Sequence, residues 1–230
     1  MKNIIGILGG MGPAATADMF QKFIQFTPAH CDQEHIPLVI SSIPDIPDRT
    51  TSILHGGESP LFAMEERIYG LENAGAKCIL IACNTAHYWY DELKEKCHVD
   101  MLNIIDSTIN EVLQMGKTKI GILATDATLA TKLYQKTLEK YGLICLLPNE
   151  EHQKSVMESI YLYKSGEIQK AEELMLVQRD ELIRHGAEVI ILGCTEIPLI
   201  LKNAVREQPA LYEDSTAALV RAAIRWYQTH

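Results

Sequence analysis

The chain of 230 residues lacks the features that mark several common protein classes. Its formal charge is −9 and it has no run of lysine or arginine, which argues against a nucleic-acid partner, since backbone binding requires a basic face. No apolar run approaches the roughly 18 residues of a membrane span. The apolar stretch at the start is too short and too interrupted by glycine for a signal peptide. We therefore expect a cytoplasmic protein with no nucleic-acid or membrane partner.

The six cysteines lack the spacing of a disulfide scaffold and of a metal site. No CxxC pair is present, and the histidines and cysteines do not cluster in a pattern typical of metal sites. Free thiols in a reducing compartment are therefore the expectation.

The glycine loop at residues 9–13 lacks the pattern of a nucleotide site. Gly-x-Gly-x-x-Gly fails after Gly12, and no Gly-Lys-Ser/Thr follows. A close approach of this backbone to a small ligand is the better interpretation.

One stretch of the chain occurs twice. In segments 75–83 and 186–194 a Gly-Ala pair precedes an apolar run of strand length, and each run leads to a cysteine. These cysteines, Cys83 and Cys194, are 111 residues apart. Two further echoes support a duplication of about half the chain. Segment 119–123 repeats 3–8, and Asp-Ser-Thr at 214–216 repeats the same triplet at 106–108.

Strands alternate with helices in both halves, which predicts an α/β protein with two pseudo-symmetric parallel-sheet domains and an active site in the cleft between them. An apolar fraction of 47% is sufficient for a sizeable core. We predict strands over 2–8, 36–43, 101–105, 119–123, 144–147 and 189–192, one more strand leading to Cys83, and helices over 14–26, 59–74, 87–97, 129–141, 150–163 and 166–185, with two further helices opening at 106–108 and 214–216.

Cys83 and Cys194 are predicted at the carboxyl ends of matched strands, where parallel sheets bind ligands. An approximate two-fold axis would place their thiols on opposite sides of a bound molecule. Inverting a stereocentre that bears a removable proton needs a base on one face and an acid on the other. A thiol with a free pKa of about 8.5 can serve in either role.

The alternative is that these cysteines are small buried hydrophobes, which is common at strand ends. We prefer that interpretation for Cys78 and Cys145. Polar neighbours favour the catalytic role for Cys83 and Cys194. These neighbours are Asn84, Thr85, Thr195 and Glu196.

Four more residues have two interpretations each. His87, one helical turn beyond Cys83, either tunes a thiolate or is structural. Glu196 either assists the Cys194 thiol or favours a helix N-terminus. Prolines on both sides of Asp45 and Ile46 predict that Asp48 and Arg49 lie on a stiff loop, either in a substrate site or as a surface ion pair.

Four motifs in order resemble the cofactor-independent aspartate/glutamate racemase superfamily, most closely its aspartate racemases. They are the loop at 9–13 with Ala15-Thr16-Ala17, the segment 44–50, Cys83-Asn84-Thr85-Ala86-His87 and Gly193-Cys194-Thr195-Glu196. Glutamate racemases have Asp-Ser at the first glycine loop and His after the second Cys-Thr. This chain has Gly9-Gly10 and Glu196 there, which favours aspartate.

The resemblance implies a small-molecule amino-acid substrate, a homodimer, and neither pyridoxal phosphate nor a metal. It implies one domain of residues 1–100 with about 208–230, and a second of residues 101–207. It implies Cys83 and Cys194 as the catalytic pair, beside which Asp48, His87 and Glu196 are candidate assisting residues. It also implies that substrate is bound by Met11, Arg49, Asn84, Thr85, Thr125, Thr128, Lys164 and Thr195, with Arg49 taking the side-chain carboxylate. The aspartate racemases have no acid at the position of Asp126 and glycine at that of Ala127.

Three alternatives stay open at this point. A decarboxylase of the superfamily needs only one cysteine, and a cis-trans isomerase forms a covalent cysteine adduct, so the presence of two cysteines favours a racemase. A bilobed amino-acid-binding protein would bind aspartate without exchanging its Cα hydrogen.

Overall fold

A computed structural model of the chain describes residues 2–230 and contains two four-stranded parallel sheets. Two compact units contain them. The first is formed by the chain up to Ser107 together with Thr216–His230, and the second by Thr108–Ser215. Within residues 2–230 no helix combines the length and the apolar character that a bilayer crossing requires.

The first sheet has the strand order β2-β1-β3-β4, and all its pairings are parallel. In chain order, the elements before the second sheet are β1 Ile4–Gly9, α1 Pro13–Phe26, β2 Leu38–Ser42, α2 Arg49–His55, α3 Leu61–Asn73, β3 Ala76–Ile81, α4 Tyr90–Lys96, β4 Asp100–Leu102 and α5 Ile104–Gln114, with 3-10 turns at Asp32–Glu34 and Thr85–Trp89. Helix α5 continues from the first unit into the second.

The second sheet has the corresponding order, β6-β5-β7-β8, and is also parallel throughout. Its elements are β5 Lys119–Ala124, α6 Asp126–Ala130, α7 Gln135–Lys140, β6 Ile144–Leu146, α8 Glu150–Lys164, α9 Ile168–Arg184, β7 Val189–Gly193, α10 Ile197–Ile200, α11 Lys202–Glu207 and β8 Tyr212–Asp214, with a 3-10 turn at Pro209–Leu211, and the chain ends in α12 Ser215–Thr229.

The two units therefore repeat one topology, and the predicted α/β fold with two parallel sheets is confirmed. In each unit one of the two inner strands, β3 or β7, leads to a cysteine, and this strand is almost wholly buried between its two neighbours. Its nearly continuous apolar sequence is typical of a parallel strand that is covered on both faces.

Several predicted boundaries are wrong for identifiable reasons. Helix α5 begins at Ile104 rather than at the Asp-Ser-Thr triplet, because the Asn103 side chain accepts the Ile105 N–H at 2.8 Å and caps the helix. The strand predicted over 101–105 is accordingly shorter. The helix predicted over 129–141 is interrupted, and the break contains Lys132 at a φ of 57°. The helix predicted over 87–97 starts as a 3-10 turn and becomes α4 only at Tyr90.

The glycine loop after β1 packs against its own chain. Gly10 has a φ of +92°, and a Cβ there would lie 2.3 Å from the carbonyl oxygen of Ile43. Its N–H donates to the Thr16 hydroxyl at 2.9 Å, and a Cβ on Gly9 would lie 2.4 Å from the Thr16 methyl group. The absence of side chains at Gly9 and Gly10 therefore lets the loop pack closely against Thr16 and Ile43, and its expected approach to a small ligand stays a prediction.

We predict that Gly10→Ala lowers the free energy of unfolding by roughly 2 kcal/mol or more, because left-handed strain adds to a collision with rigid backbone. Gly56→Ala is the matched control, since Gly56 also has a positive φ, of +66°, but a Cβ there would meet nothing within 4 Å. It should lose only about 1 kcal/mol. Urea unfolding measures both, and equal losses would contradict the packing role of Gly10.

Candidate active site

The two cysteines singled out from the sequence occupy equivalent places in the two units. Cys83 follows the inner strand β3, and Cys194 follows the inner strand β7. Both thiols are buried and both are free. Each is followed by a short helical segment, the turn Thr85–Trp89 in the first unit and α10 in the second. The duplication therefore places two like thiols at the carboxyl ends of like strands.

Cys194 has a carboxylate partner within its own unit. Its thiol donates to Glu196 Oε2 at 3.0 Å, and Glu196 is only 2% exposed. The other carboxylate oxygen, Oε1, lies 3.8 Å from the Nζ of Lys164, in the last turn of α8. An ammonium group at this distance offsets part of the cost of burying a carboxylate. Lys164, Glu196 and Cys194 thus form a chain of polar contacts.

Burial raises the pKa of the Cys194 thiol well above its ordinary value, and the negative charge of Glu196 raises this pKa further. The Lys164 ammonium acts in the opposite direction but does not reverse the pKa shift. The thiol is therefore protonated at neutral pH, and its proton is directed at a carboxylate oxygen. When this thiol loses its proton, the thiolate is a strong base.

His87 contacts the main chain on both sides of its ring. Nδ1 lies 2.8 Å from the Cys83 carbonyl oxygen, and Nε2 lies 3.0 Å from the backbone nitrogen of Ile104. Burial lowers the pKa of the imidazole to about 4, so the ring is neutral near pH 7. Both nitrogens are engaged with backbone rather than with the Cys83 thiol.

Asp48 and Arg49 lie at the start of a helix rather than on the predicted loop. The Asp48 carboxylate accepts the Thr51 N–H at 2.7 Å and caps α2, whose first residue is Arg49. The two prolines precede the cap, where a missing N–H costs the helix nothing. The Arg49 Nη1 donates to the carbonyl oxygens of Ile46, at 3.0 Å, and Pro47, at 2.9 Å. These bonds fix the half-buried guanidinium on the preceding turn.

Thr125 and Thr128 form a buried hydroxyl pair at the end of β5. Their Oγ1 atoms are 2.9 Å apart, and Thr125 caps α6. Gln153, on α8, supports this turn, because its Nε2 donates to the Ala124 carbonyl at 3.0 Å and to the Asp126 carboxylate at 2.7 Å. The sequence analysis missed Gln153, since nothing in the sequence indicates which face of α8 meets this turn.

The remaining predicted site residues are buried next to the two strand ends. Met11 belongs to the same apolar cluster as Cys83. Asn84, Thr85 and Thr195 are buried polar residues that directly follow the cysteines. The first unit thus holds Met11, Asp48, Arg49, Asn84, Thr85 and His87, and the second holds Thr125, Thr128, Lys164, Thr195 and Glu196.

The other cysteines have different surroundings. Burial raises the pKa of Cys78, inside strand β3, to about 12, and burial also raises the pKa values of Cys97 and Cys145 to about 11. Cys31 is exposed. Throughout residues 2–230, no three His, Cys, Asp or Glu side chains are grouped so that they could hold a metal ion.

Known proteins are similar to this chain in sequence and in fold. A family model described as Asp/Glu/Hydantoin racemase matches residues 8–223. The broad specificity amino-acid racemase RacX of Bacillus subtilis (strain 168) is 30% identical over 97% of this chain and 98% of its own length. The structure of Picrophilus torridus aspartate racemase is 32% identical, with a TM-score of 0.89 over 98% of this chain and 94% of that chain. The structure of an aspartate racemase homologue from Pyrococcus horikoshii OT3 is 29% identical, with a TM-score of 0.76 over 99% of this chain and 100% of that chain. The predicted resemblance is confirmed, and the chain belongs to the Asp/Glu/hydantoin racemase family of isomerases.

Proposed function

We propose that the chain interconverts L- and D-aspartate by proton transfer between the substrate Cα and the thiols of Cys83 and Cys194, without pyridoxal phosphate or a metal. The observation that carries this proposal is the buried Cys194 thiol, which donates to Glu196 while a second thiol, Cys83, follows the equivalent strand of the other sheet. The similarity to an aspartate racemase and to a broad specificity amino-acid racemase supports it.

In the proposed reaction Glu196 accepts the proton of Cys194, and the resulting thiolate removes the Cα proton of L-aspartate. The Cys83 thiol then donates its own proton to the opposite face of the carbanion and is left as a thiolate. The reverse reaction exchanges these roles, so Cys83 is the base for D-aspartate. The protons balance: the Cys194 proton moves to Glu196, the Cα proton moves to Cys194, and the Cys83 proton moves to the opposite face of Cα. Two S–H bonds and one Cα–H bond are broken, and one O–H, one S–H and one Cα–H bond are formed.

Substrate selection is assigned to Arg49. Its Nη1 is bound to two carbonyl oxygens, which limits the motion of the guanidinium, and a guanidinium matches a carboxylate through paired N–H donors. In a chain with a formal charge of −9, a local cation of this kind is needed to attract a dicarboxylic substrate. A broader amino-acid range is the second candidate, favoured by the similarity to RacX. The homodimer and the cytoplasmic location stay predictions.

The proposal is tested with L- and D-aspartate in deuterated water without added cofactor. The wild-type protein should racemise both enantiomers and incorporate one deuterium at Cα. Cys83→Ala and Cys194→Ala should each lose racemisation, because one face then lacks its acid or base. Cys194→Ala should still exchange the Cα hydrogen of D-aspartate, and Cys83→Ala that of L-aspartate.

Cys78→Ala and Cys145→Ala are the controls for this experiment and should retain racemisation. Optical rotation and mass spectrometry follow the two processes separately. Full racemase activity in Cys83→Ala would discard the two-base mechanism. Binding of aspartate with no Cα exchange in the wild-type protein would indicate a binding protein instead.

Glu196→Gln should lower kcat/KM about a hundredfold, a loss typical of removing a proton acceptor. The loss should be equal in both directions, because the equilibrium constant of a racemisation is one. Since the Glu196 charge raises the pKa of Cys194, the variant thiol should also react with iodoacetamide at lower pH. Glu188→Gln is the control, because Glu188 is an exposed carboxylate that binds the Thr118 and Lys119 backbone. An unchanged alkylation profile in Glu196→Gln would remove Glu196 from the mechanism.

Arg49→Ala should lower kcat/KM for aspartate more than about tenfold, roughly 1.4 kcal/mol, while the protein still folds. Arg49→Lys should lose less, since it keeps the charge without the planar pair of donors. Thermal unfolding of both variants separates substrate binding from stability, and Arg184→Ala serves as an exposed arginine control. Unchanged kcat/KM for aspartate in Arg49→Ala would exclude Arg49 from the site.

A further inference from the structure

His87 connects two backbone segments that meet at the end of β3. Its ring lies between the carbonyl of Cys83 and the N–H of Ile104, at 2.8 and 3.0 Å. The ring also stacks on Tyr90, with 5.6 Å between centroids and 8° between planes. The Tyr90 hydroxyl donates to the Met101 carbonyl at 2.8 Å, so the stacked pair is itself fixed to β4.

The two bonds determine which ring nitrogen carries the proton. The Ile104 N–H can only donate, so Nε2 must accept. The Cys83 carbonyl can only accept, so Nδ1 must carry the proton and donate. A second proton, on Nε2, would place two N–H groups against each other, that of the ring and that of Ile104. Burial also opposes the positive charge of the doubly protonated ring. The neutral Nδ1–H tautomer is therefore the only form that satisfies both partners.

We propose that His87 is a positioning residue: through its neutral ring it clamps the main chain of Cys83 to the start of α5, and so holds the Cys83 thiol in place for proton transfer. This inference rests on the proposed function, in which Cys83 is the base for D-aspartate. It differs from the thiolate-tuning role considered for His87 from the sequence, because the ring contacts the carbonyl of Cys83 and neither donates a proton to nor accepts one from its thiol.

The second unit builds the corresponding junction differently. The residue that matches His87 in the duplication is Pro198, which has no side-chain donor or acceptor. There the Ser215 hydroxyl, at the start of α12, donates to the Leu192 carbonyl of β7 at 2.8 Å. The histidine clamp therefore serves the Cys83 strand alone, and its removal should affect one thiol and not the other.

The groups that face the ring do not supply a competing charge. Burial raises the pKa of Tyr90 to about 12, so the stacked phenol stays neutral. Burial also raises the pKa of Asp106, which lies near Tyr90 rather than against the imidazole, and Asp91 acts on Tyr90 and Asp106 in the same direction. The fall in the pKa of His87 comes from burial, opposed only by bonds to backbone carbonyls.

Two substitutions remove the two halves of the clamp separately. The amide of His87→Asn keeps a donor near the Nδ1 position, and that of His87→Gln keeps an oxygen near the Nε2 position. These two variants and His87→Ala, which removes both halves, are each placed in a Cys194→Ala background, where D-aspartate exchange depends on Cys83. They are also placed in a Cys83→Ala background, where L-aspartate exchange depends on Cys194. His185→Asn is the matched control, because the Nδ1 of this exposed ring also lies 2.9 Å from a carbonyl four residues earlier.

We expect the kcat for D-aspartate exchange to fall at least tenfold in His87→Ala, with an unchanged KM. The losses in His87→Asn and His87→Gln should be smaller, and L-aspartate exchange should stay within twofold. Equal losses of both exchanges, or none in any His87 variant, would overturn the clamp. Absence of D-aspartate exchange in Cys194→Ala with His87 intact would instead contradict the proposed function.

Stability against pH gives a second measurement. The pKa of His87 is about 4 in the folded protein and about 6.5 in the unfolded chain, so the unfolded chain binds a proton first as the pH falls. The free energy of unfolding therefore decreases as the pH falls from about 6.5 toward 4. His87→Asn should lose less stability than the wild type across this window in urea unfolding. An identical pH dependence of the two proteins would contradict a buried neutral His87.

Discussion

Parallel pairing of the inner strands is the constraint on which the rest of the molecule depends. Strands β3 and β7 each lie between two parallel neighbours, so the residues that follow them emerge at the carboxyl edge of their sheets. Burial on both faces demands apolar residues along the strands themselves. The buried polar residues Asn84, Thr85 and Thr195 therefore lie just beyond the strand ends, beside Cys83 and Cys194.

The two strand ends share a backbone plan but differ in their electrostatics. Glu196 contacts the Cys194 thiol, whereas the matching residue in the first unit is Thr85, which carries no charge. A buried carboxylate is costly unless it is paired and hydrogen-bonded, and the Cys194 thiol and Lys164 meet that requirement. The duplication therefore preserved the placement of the thiols and allowed the side chains around them to diverge.

The sequence predicted what depends on local pattern. Apolar runs of strand length and the repeated Gly-Ala-to-cysteine segments were sufficient for the parallel sheets and for the strand-end position of both cysteines. Helix starts were less accurate. The start of α5 was predicted too late, because its cap, Asn103, is followed by the capping residues Asp106 and Ser107. Helix α2 was predicted as a loop, because the two prolines before its cap, Asp48, obscured the helix. The parts of the candidate site that the sequence did not predict depend on tertiary contacts. The support of the Thr125 turn by Gln153 and the bond from His87 to Ile104 join segments that no local pattern relates.

Burial of the thiols also bears on how a weakly acidic Cα–H can be removed. A solvated thiolate is a weak base, whereas desolvation and a nearby carboxylate make the Cys194 thiolate far more basic, at the cost of keeping the thiol protonated in the resting protein. In a racemase a more basic thiolate is worth this cost, because the strong base is needed only while the substrate is bound. The ammonium group of the bound substrate can then offset the added negative charge. The raised pKa of Cys194 is then a property of the resting site, and Glu196, which we propose as its proton acceptor, lies in hydrogen-bonding contact with the thiol.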